Sequence, residues 1–306
     1  MVARRGFEDL RGMLRGLPRK TVALVNPAGE EHLRAALLCR DQDLARVVLI
    51  GPRRELEAGL EALGVGTRGL DFEDVAEPSA CASAGVALCR EGKADVLLKG
   101  KIQTGTLLRA VLDRQHGLRD EGLLSDVLIY RDPDRGGRMI GLTDGGLNVA
   151  PELSAKRTIV SNAVEVAHSL GIDCPKVALL CALEAVSEAM PYTVEAHALA
   201  EEFRVSGRTD LVVEGPISLD CALDAEAASE KSFVSPVAGQ ADLLVFPNIE
   251  AANIAAKILL HYHAMDFGHV IAGARVPILI PSRGDPAEVR INSILLALVL
   301  EAYHDR

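Results

Sequence analysis

The chain has 306 residues, 49% of them hydrophobic, and carries a formal net charge of -10 at pH 7. A chain of this length exceeds what one compact core usually holds, so we expect two domains. The acidic balance argues against a general affinity for DNA, RNA or an anionic membrane surface. An anionic ligand therefore needs a local cationic site.

Six cysteines are scattered without a C-x-x-C pair or a nearby histidine cluster. This pattern argues against a zinc cage or a thioredoxin-like motif and favours buried free thiols. The N-terminus lacks the apolar stretch of a signal peptide, and no run reaches the ~18 apolar residues of a membrane-spanning helix. We therefore expect a cytoplasmic protein with no metal, no membrane contact and no nucleic-acid partner.

Short β-branched runs alternate with longer amphipathic runs from the start of the chain. In the first half we predict strands at 21–25, 46–51, 95–98 and 126–130, and helices at 30–40, 80–90 and 106–113. The polar segment 131–138, with a proline and paired glycines, predicts an exposed turn between two strands.

The second half repeats the alternation. It predicts strands at 139–142, 176–180, 211–213, 243–246 and 276–280, and helices at 154–170, after an Asn248 N-cap and at 294–300. Strands that are apolar throughout are typical of a parallel sheet covered on both faces. The sequence therefore predicts an α/β fold.

The segment 98–109 leaves a buried strand, crosses two glycines and enters a helix. A helix N-terminus favours phosphate, with Thr104 and Thr106 as donors and Lys99 or Arg109 as counter-charges. The spacing matches neither a Walker P-loop nor a dinucleotide fingerprint. A glycine turn capped by threonine, with ordinary surface lysines, explains the segment equally well.

The segment 141–151 follows a strand end with small and polar residues, where α/β sheets place their ligand clefts. Asp144 and Asn148 there either position a polar substrate or stabilise the turn. Asn253 lies four residues before Lys257 on one helical face, toward a cleft or toward water.

The segment 280–290 supplies a hydroxyl, a guanidinium and a carboxylate from one short loop after a strand. Acyl-phosphate chemistry needs a cation for phosphate, a donor for the developing oxyanion and a base for a thiol. The alternative is that Ser282 caps a helix and that Arg283 pairs with Glu288.

Taken together, these segments resemble the phosphate acetyl/butyryltransferases from about residue 98 onward. The similarity to the butyryl branch is carried by short segments in a fixed order: 142–151, 161–164, 214–216, 235–239 and 247–250 with Asn253. The resemblance implies transfer of a short acyl group, butyryl type favoured, between coenzyme A and inorganic phosphate. Phosphate acetyltransferase is the alternative.

The resemblance also implies an architecture. We expect two α/β/α domains with mainly parallel sheets around an interdomain cleft, as in isocitrate and isopropylmalate dehydrogenases. The first domain would comprise residues 1–142 plus 278–306, and the second residues 143–277. A homodimer or higher homo-oligomer is expected, with acyl-CoA, phosphate and acyl phosphate as substrates and no obligatory cofactor.

Site residues follow from the same resemblance. Ser282 and Arg283 match the family's catalytic pair, and Glu288 matches its thiol-activating carboxylate after a one-residue shift, with Asp285 as competitor. Arg109 matches a cleft arginine. The remaining substrate-binding candidates are Lys99, Thr104, Asp144, Asn148 and Asn253.

Two departures from the family pattern bear on these roles. Asp126 stands where many relatives have a histidine, so any role of that histidine is absent or taken elsewhere. The 282–284 segment is nearer the acetyl pattern and 143–151 nearer the butyryl one, which leaves the acyl length open.

Two other classes of function are weighed against this one. The first is a non-catalytic module that senses coenzyme A, like the end of some bacterial malic enzymes, but that version would carry a partner domain. The second is a decarboxylating dehydrogenase, which needs grouped aspartates for a divalent metal. Asp220 and Asp224 are four apart, and the sequence indicates no third partner.

Overall fold

The computed structural model describes residues 6–119, 122–262, 265–282 and 285–305. The chain divides into two compact units. Residues 7–122 and the chain from 268 onward form the first unit, and residues 123–267 form the second unit.

The first unit begins with alternating helices and strands. Its elements before residue 123 are α1 (Phe7–Leu14), β1 (Thr21–Val25), α2 (Glu30–Asp41), β2 (Arg46–Gly51), α3 (Arg53–Ala62), β3 (Asp71–Asp74), α4 (Pro78–Arg90), β4 (Val96–Lys99) and α5 (Thr104–Val111). The strands pair in the order β3-β2-β1-β4, all parallel. β1 and β4 are apolar and buried almost throughout, as expected of central strands covered by helices on both faces.

The second unit follows in the chain. It contains β5 (Ser125–Asp132), a 3-10 turn (Pro133–Arg135), β6 (Arg138–Thr143), α6 (Leu153–Ser169), β7 (Lys176–Leu180), α7 (Pro191–Val205), β8 (Val212–Ile217), α8 (Leu219–Leu223), α9 (Ala225–Glu230), β9 (Leu243–Val245) and α10 (Ile249–Tyr262). β5 and β6 form an antiparallel hairpin, and β6-β9-β7-β8 are parallel.

The chain then completes the first unit. It adds β10 (Phe267–Ala272), which crosses the boundary at Gly268, then β11 (Ile278–Leu279) and α11 (Ala287–His304). β11 pairs parallel with β4 and antiparallel with β10. α11 is buried over most of its length and packs on α1 and α2.

The predicted α/β class with mainly parallel strands is confirmed. The two units are separated before Leu123 and after Phe267, whereas we predicted boundaries at 142/143 and 277/278. The difference arises because β5 and β6 pair as one hairpin, which keeps both strands in the second unit. β10, which the sequence analysis did not predict, pairs with β11.

Capping residues mark the starts of α9 and α10, and the sequence predicted the cap of α10. Asn248 accepts a hydrogen bond from the Ala251 N–H at 3.0 Å and so caps α10. Asp224 accepts hydrogen bonds from the backbone N–H groups of Glu226 and Ala227 at the start of α9.

Within the described residues, no helix combines the length and the apolar character needed to cross a membrane.

Candidate active site

A pocket of about 860 Å³ lies in the first unit. Its lining residues come from the loop and first turns after β1 (28–34), the end of β4 with the turn after it (99–103), residues 281–282 after β11, and Arg290 of α11. Because β1, β4 and β11 are parallel, the pocket lies at their carboxyl ends. Open α/β sheets place their ligand sites at this edge.

A close approach of two strand ends shapes the floor of the pocket. Gly100 donates to the Val25 carbonyl at 2.8 Å, and Lys101 donates to the Asn26 carbonyl at 2.8 Å. A Cβ atom at Gly100 would collide with both of these carbonyl oxygens. Asn26 has a φ of 47° and donates its side-chain amide to the Lys101 carbonyl at 3.0 Å. The glycine is therefore required for this junction.

The pocket concentrates positive charge in an acidic protein. Its lining includes four cationic side chains, Arg34, Lys99, Lys101 and Arg290, and two carboxylates, Glu30 and Glu31. Lys99 and Arg290 are only 7% and 2% exposed. Charges in such a low-dielectric position interact more strongly with a ligand than exposed charges do. The lining suits an anion.

His32 reports on the electrostatics of this pocket. Burial lowers the pKa of its imidazole to about 4, and the positive charges of Arg290 and Lys99 act in the same direction. The ring is therefore neutral at pH 7. A neutral imidazole both donates and accepts hydrogen bonds.

Ser282 is an exposed residue and lines the pocket. Its backbone N–H donates to Asp285 Oδ2 at 2.7 Å, and its carbonyl accepts from Arg290 Nη2 at 3.4 Å. Asp285 is 8% exposed, and its Oδ2 also lies 3.8 Å from His269 Nε2. Two buried groups therefore hold the backbone of Ser282 in place.

Arg283 and Glu288 are the other two predicted catalytic residues. Arg283 lies outside the described residues. Glu288 is exposed in the first turn of α11 and is not among the residues that line the pocket.

Thr104 and Arg109 lie on α5, the helix that follows the pocket-lining residues 99–103 in the chain. Thr104 is the first residue of the helix and is exposed. Arg109 lines a different pocket of about 600 Å³ beside α4, where its Nη2 lies 3.4 Å from Thr106 Oγ1. Within the first unit, the structure thus brings Lys99 and Ser282 to one pocket and places Arg109 at another.

Asp144 organises a loop in the second unit. It is 4% exposed, and its carboxylate accepts backbone hydrogen bonds from Gly146, Leu147 and Asn148 at 3.0 to 3.2 Å. Burial raises the pKa of this carboxyl, and the Asp126 carboxylate acts in the same direction. The cluster of N–H donors opposes this rise because it favours the charged form.

Asn148 and Asn253 belong to the same network. The Asn148 side-chain amide donates to Asp144 Oδ2 and to the Leu124 carbonyl, the latter at 2.8 Å. Asn253 donates from α10 to the Gly145 carbonyl at 2.9 Å. These contacts give the three residues a structural role in the loop. Their contact with substrate stays a prediction.

A cluster of Glu184, Asp220 and Cys221 lies elsewhere in the second unit, with its potential ligand atoms within 4.8 Å of one another. Lys231 Nζ lies 2.9 Å from a carboxylate oxygen of each acid. The ammonium group therefore supplies the positive charge that these acids need. The pairing of Asp220 with Asp224 that we considered does not form a site, because Asp224 caps α9.

Neither His32 nor Arg290 was predicted from the sequence as a site residue. His32 follows two glutamates in an amphipathic helix, and Arg290 lies at the start of an apolar one. Neither position matches a motif. The one signal in the sequence was an arginine within a mostly apolar segment, which the structure shows as the largely buried helix α11.

Comparisons with known proteins agree with the resemblance. The model of a family described as "Phosphate acetyl/butaryl transferase" matches residues 64–298. The phosphate butyryltransferase of Clostridium beijerinckii is 35% identical over 97% of this chain and 98% of its own. The phosphate acetyltransferase of Rhizobium meliloti is 36% identical over 91% of this chain and 88% of its own.

One solved structure is similar over nearly its whole length. The crystal structure of a branched-chain phosphotransacylase from Enterococcus faecalis V583 superposes with a TM-score of 0.83 at 31% sequence identity. The match covers 92% of this chain and 99% of that one.

Proposed function

This chain belongs to the phosphate acetyl/butyryl transferase family, and from that premise we propose that it transfers a short acyl group between coenzyme A and inorganic phosphate. One observation carries the proposal beyond the family. The pocket at the carboxyl ends of β1, β4 and β11 is lined by the exposed residue Ser282 and by the buried cations Lys99 and Arg290.

The reaction involves one substitution at the acyl carbon. In the direction toward acyl-CoA, the thiol sulfur attacks the acyl carbon of an acyl phosphate, and the bond between that carbon and the phosphate oxygen breaks. Phosphate leaves with the electron pair. Because a free thiol has a pKa of about 8.5 and the thiolate is the nucleophile, a base must remove the thiol proton.

We assign the thiol proton to Glu288, with Asp285 as the alternative base. Asp285 already accepts the Ser282 N–H and lies beside His269, which favours a positioning role for it. Glu288 is exposed at the start of α11. Ser282 would donate to the oxygen that gains charge, while Lys99 and Arg283 offset the phosphate charge.

The substrate is proposed to be of butyryl type, with acetyl-CoA as the alternative. The sequence segments that resemble the butyryl branch support this choice, as does the name of the Clostridium beijerinckii relative. Coenzyme A acts as substrate, and no cofactor is part of the proposal.

A thiol-release assay tests the proposed activity. Purified protein is mixed with phosphate and straight or branched acyl-CoA of increasing length, and free coenzyme A is measured. We expect release that depends on phosphate and is fastest near four carbons. Binding of acyl-CoA without any release would indicate a sensing module and contradict the proposal. In Arg283→Ala, turnover is expected to fall by orders of magnitude with the thermal unfolding temperature unchanged.

We further propose that the protein is a homodimer. α10 exposes an apolar row at four-residue spacing, Ile254, Ile258 and Tyr262, and the ring of Tyr262 is at the end of this row. Such a row on one helical face suits contact with a second copy. Analytical ultracentrifugation should show a dimer in the wild type and a monomer in Ile254→Lys. A monomeric wild type would contradict this assignment.

A cytoplasmic location is proposed on the state of the cysteines. All six are free, and four of them, Cys39, Cys81, Cys89 and Cys221, are buried. Proteins in reducing compartments keep their thiols in this state.

A further inference from the structure

Arg290 is a buried cation at the pocket that family resemblance leaves without a role. Its Nη2 contacts Glu31 Oε2 at 3.3 Å and the Ser282 carbonyl at 3.4 Å. Among the residues that the structure describes, its buried Nε atom has no hydrogen-bond partner. A buried guanidinium normally uses its donors, and an unused one costs free energy. Arg290 also lines the pocket, so an incompletely hydrogen-bonded guanidinium borders a space that can hold a ligand.

Lys99 lines the same pocket as Arg290. Its charge and that of Arg290 both act on the same His32 imidazole. Two buried cations that act on one group repel each other, and bringing them together costs free energy unless an anion compensates. Glu31 offers only partial compensation, since its side chain is 59% exposed. Two buried cations that line one pocket suit an anionic ligand that contacts both.

We propose that Arg290 and Lys99 together bind the phosphoryl group of the phosphate substrate, with His32 as a further hydrogen-bonding group. The inference rests on the proposed function and deepens it by naming the phosphate site. Arg290 thereby joins the residues that contact substrate, and its contact with the Ser282 carbonyl couples phosphate binding to the position of Ser282.

The chemistry of inorganic phosphate fits this arrangement. Orthophosphate carries a charge between -1 and -2 near pH 7, which two cations offset. The planar guanidinium of arginine can offer two parallel N–H donors to phosphate oxygens. The phosphates of coenzyme A share this chemistry, so the experiment must separate the two sources.

Isothermal titration of the full-length protein with inorganic phosphate, and separately with coenzyme A, makes that separation. In Arg290→Met we expect phosphate affinity to fall at least about tenfold, because a charge-assisted hydrogen bond is lost. Coenzyme A affinity should change less than about threefold. Arg204→Gln, an exposed arginine paired with Glu201, is the control and should leave both affinities unchanged.

Glu31→Gln should change the affinity for phosphate in the opposite direction. Removing this exposed carboxylate frees the Nη2 atom of Arg290 and should tighten phosphate binding about twofold to fivefold. The variant changes a surface residue, so it keeps the inference testable if Arg290→Met fails to fold. Unchanged or weaker phosphate binding in Glu31→Gln would overturn the proposal.

A measurement on the wild type needs no substitution. An anion beside His32 should raise the pKa of its ring, because a negative charge favours the imidazolium. NMR titration of the histidine signals with and without inorganic phosphate should show one histidine whose low pKa moves upward.

Loss of coenzyme A affinity, instead of phosphate affinity, in Arg290→Met would overturn the assignment to inorganic phosphate.

The outcomes are distinct from those of the proposed function. If the wild type releases coenzyme A in the presence of phosphate but Arg290→Met keeps the same KM for phosphate, only the inference about Arg290 fails. If the wild type neither binds phosphate nor releases coenzyme A, the proposed function itself fails.

Discussion

The pocket of the first unit and the Asp144 loop of the second unit both place polar side chains after a strand end, but they use them differently. In the loop, Asp144 accepts three backbone N–H groups, and Asn148 and Asn253 donate to backbone carbonyls. In the pocket, Arg290 keeps an unused donor, and cationic side chains outnumber carboxylates.

The difference shows how similar sequence patterns serve different ends. Polar groups that satisfy one another stabilise the backbone, and their loss appears mainly as lost stability. A pocket lined by buried cations, one of them an incompletely hydrogen-bonded guanidinium, suits a ligand, and loss of these cations should appear mainly as lost binding. Substitutions in the two regions should therefore separate activity from stability.

The largest effect is expected for Lys99→Met. Loss of a buried cation from the pocket should lower kcat/KM for phosphate roughly a hundredfold, because charge-assisted hydrogen bonds are the strong ones. Lys93→Met, an exposed lysine paired with Glu91, is the matched control. Equal kinetics of the two variants would remove Lys99 from the site.

Asp144→Ala should lower the stability of the protein more than its activity. The buried carboxylate accepts three backbone N–H groups, so its removal should lower the free energy of unfolding by about 3 kcal/mol in urea denaturation. Asp173→Ala, at an exposed position, should change it by less than about 0.5 kcal/mol. A stable Asp144→Ala variant with strongly reduced turnover would show that the loop serves the substrate more than the fold.

Asn253→Ala should have a smaller effect of the same kind. It removes one hydrogen bond, from the side-chain amide to the Gly145 carbonyl, which corresponds to about 1 kcal/mol. Urea denaturation measures the loss, and the KM values for acyl-CoA and phosphate should stay within about twofold of the wild type. A tenfold rise in either KM would place Asn253 at the substrate.

The smallest effect concerns the pH dependence of stability. The pKa of His32 is about 4 in the folded protein, below its ordinary value of 6.5, so the unfolded chain binds more protons between these values. The contribution of His32 is fully present above pH 6.5 and is lost as pH falls toward 4. Because the side chain is only half-buried, we expect about 1 kcal/mol after solvent screening. His32→Gln should remove this part of the pH dependence, and urea denaturation across this range measures it. Identical curves for both proteins would contradict the low pKa.

Much of the fold followed from periodicity. The strands at 21–25, 46–51 and 176–180 match the structure residue for residue, because apolar β-branched runs bounded by polar residues leave little choice. β3 escaped prediction because the sequence of this edge strand, Asp71–Asp74, is mostly acidic. β10 escaped prediction because its sequence contains a glycine and a histidine and follows a polar segment.

The candidate site was predictable only in part. Strand ends followed by glycine and polar residues pointed to Lys99 and Ser282, which the structure brings to one pocket. Arg290 and His32 come from different helices, and only tertiary packing brings them to this pocket. For Asp144 the sequence left two roles open, a substrate contact or a turn; the structure shows the hydrogen bonds of the turn, and the substrate contact stays a prediction.

The central claim is that phosphate acts in the pocket that holds Lys99 and Ser282. The most direct measurement is the rate of coenzyme A release from butyryl-CoA as a function of phosphate concentration, in wild type, Lys99→Met and Asn253→Ala side by side. The account predicts saturation by phosphate in the wild type, nearly the same curve in Asn253→Ala, and a strongly raised phosphate requirement in Lys99→Met. Release that does not depend on phosphate, or a Lys99→Met curve that overlies the wild type, would contradict it.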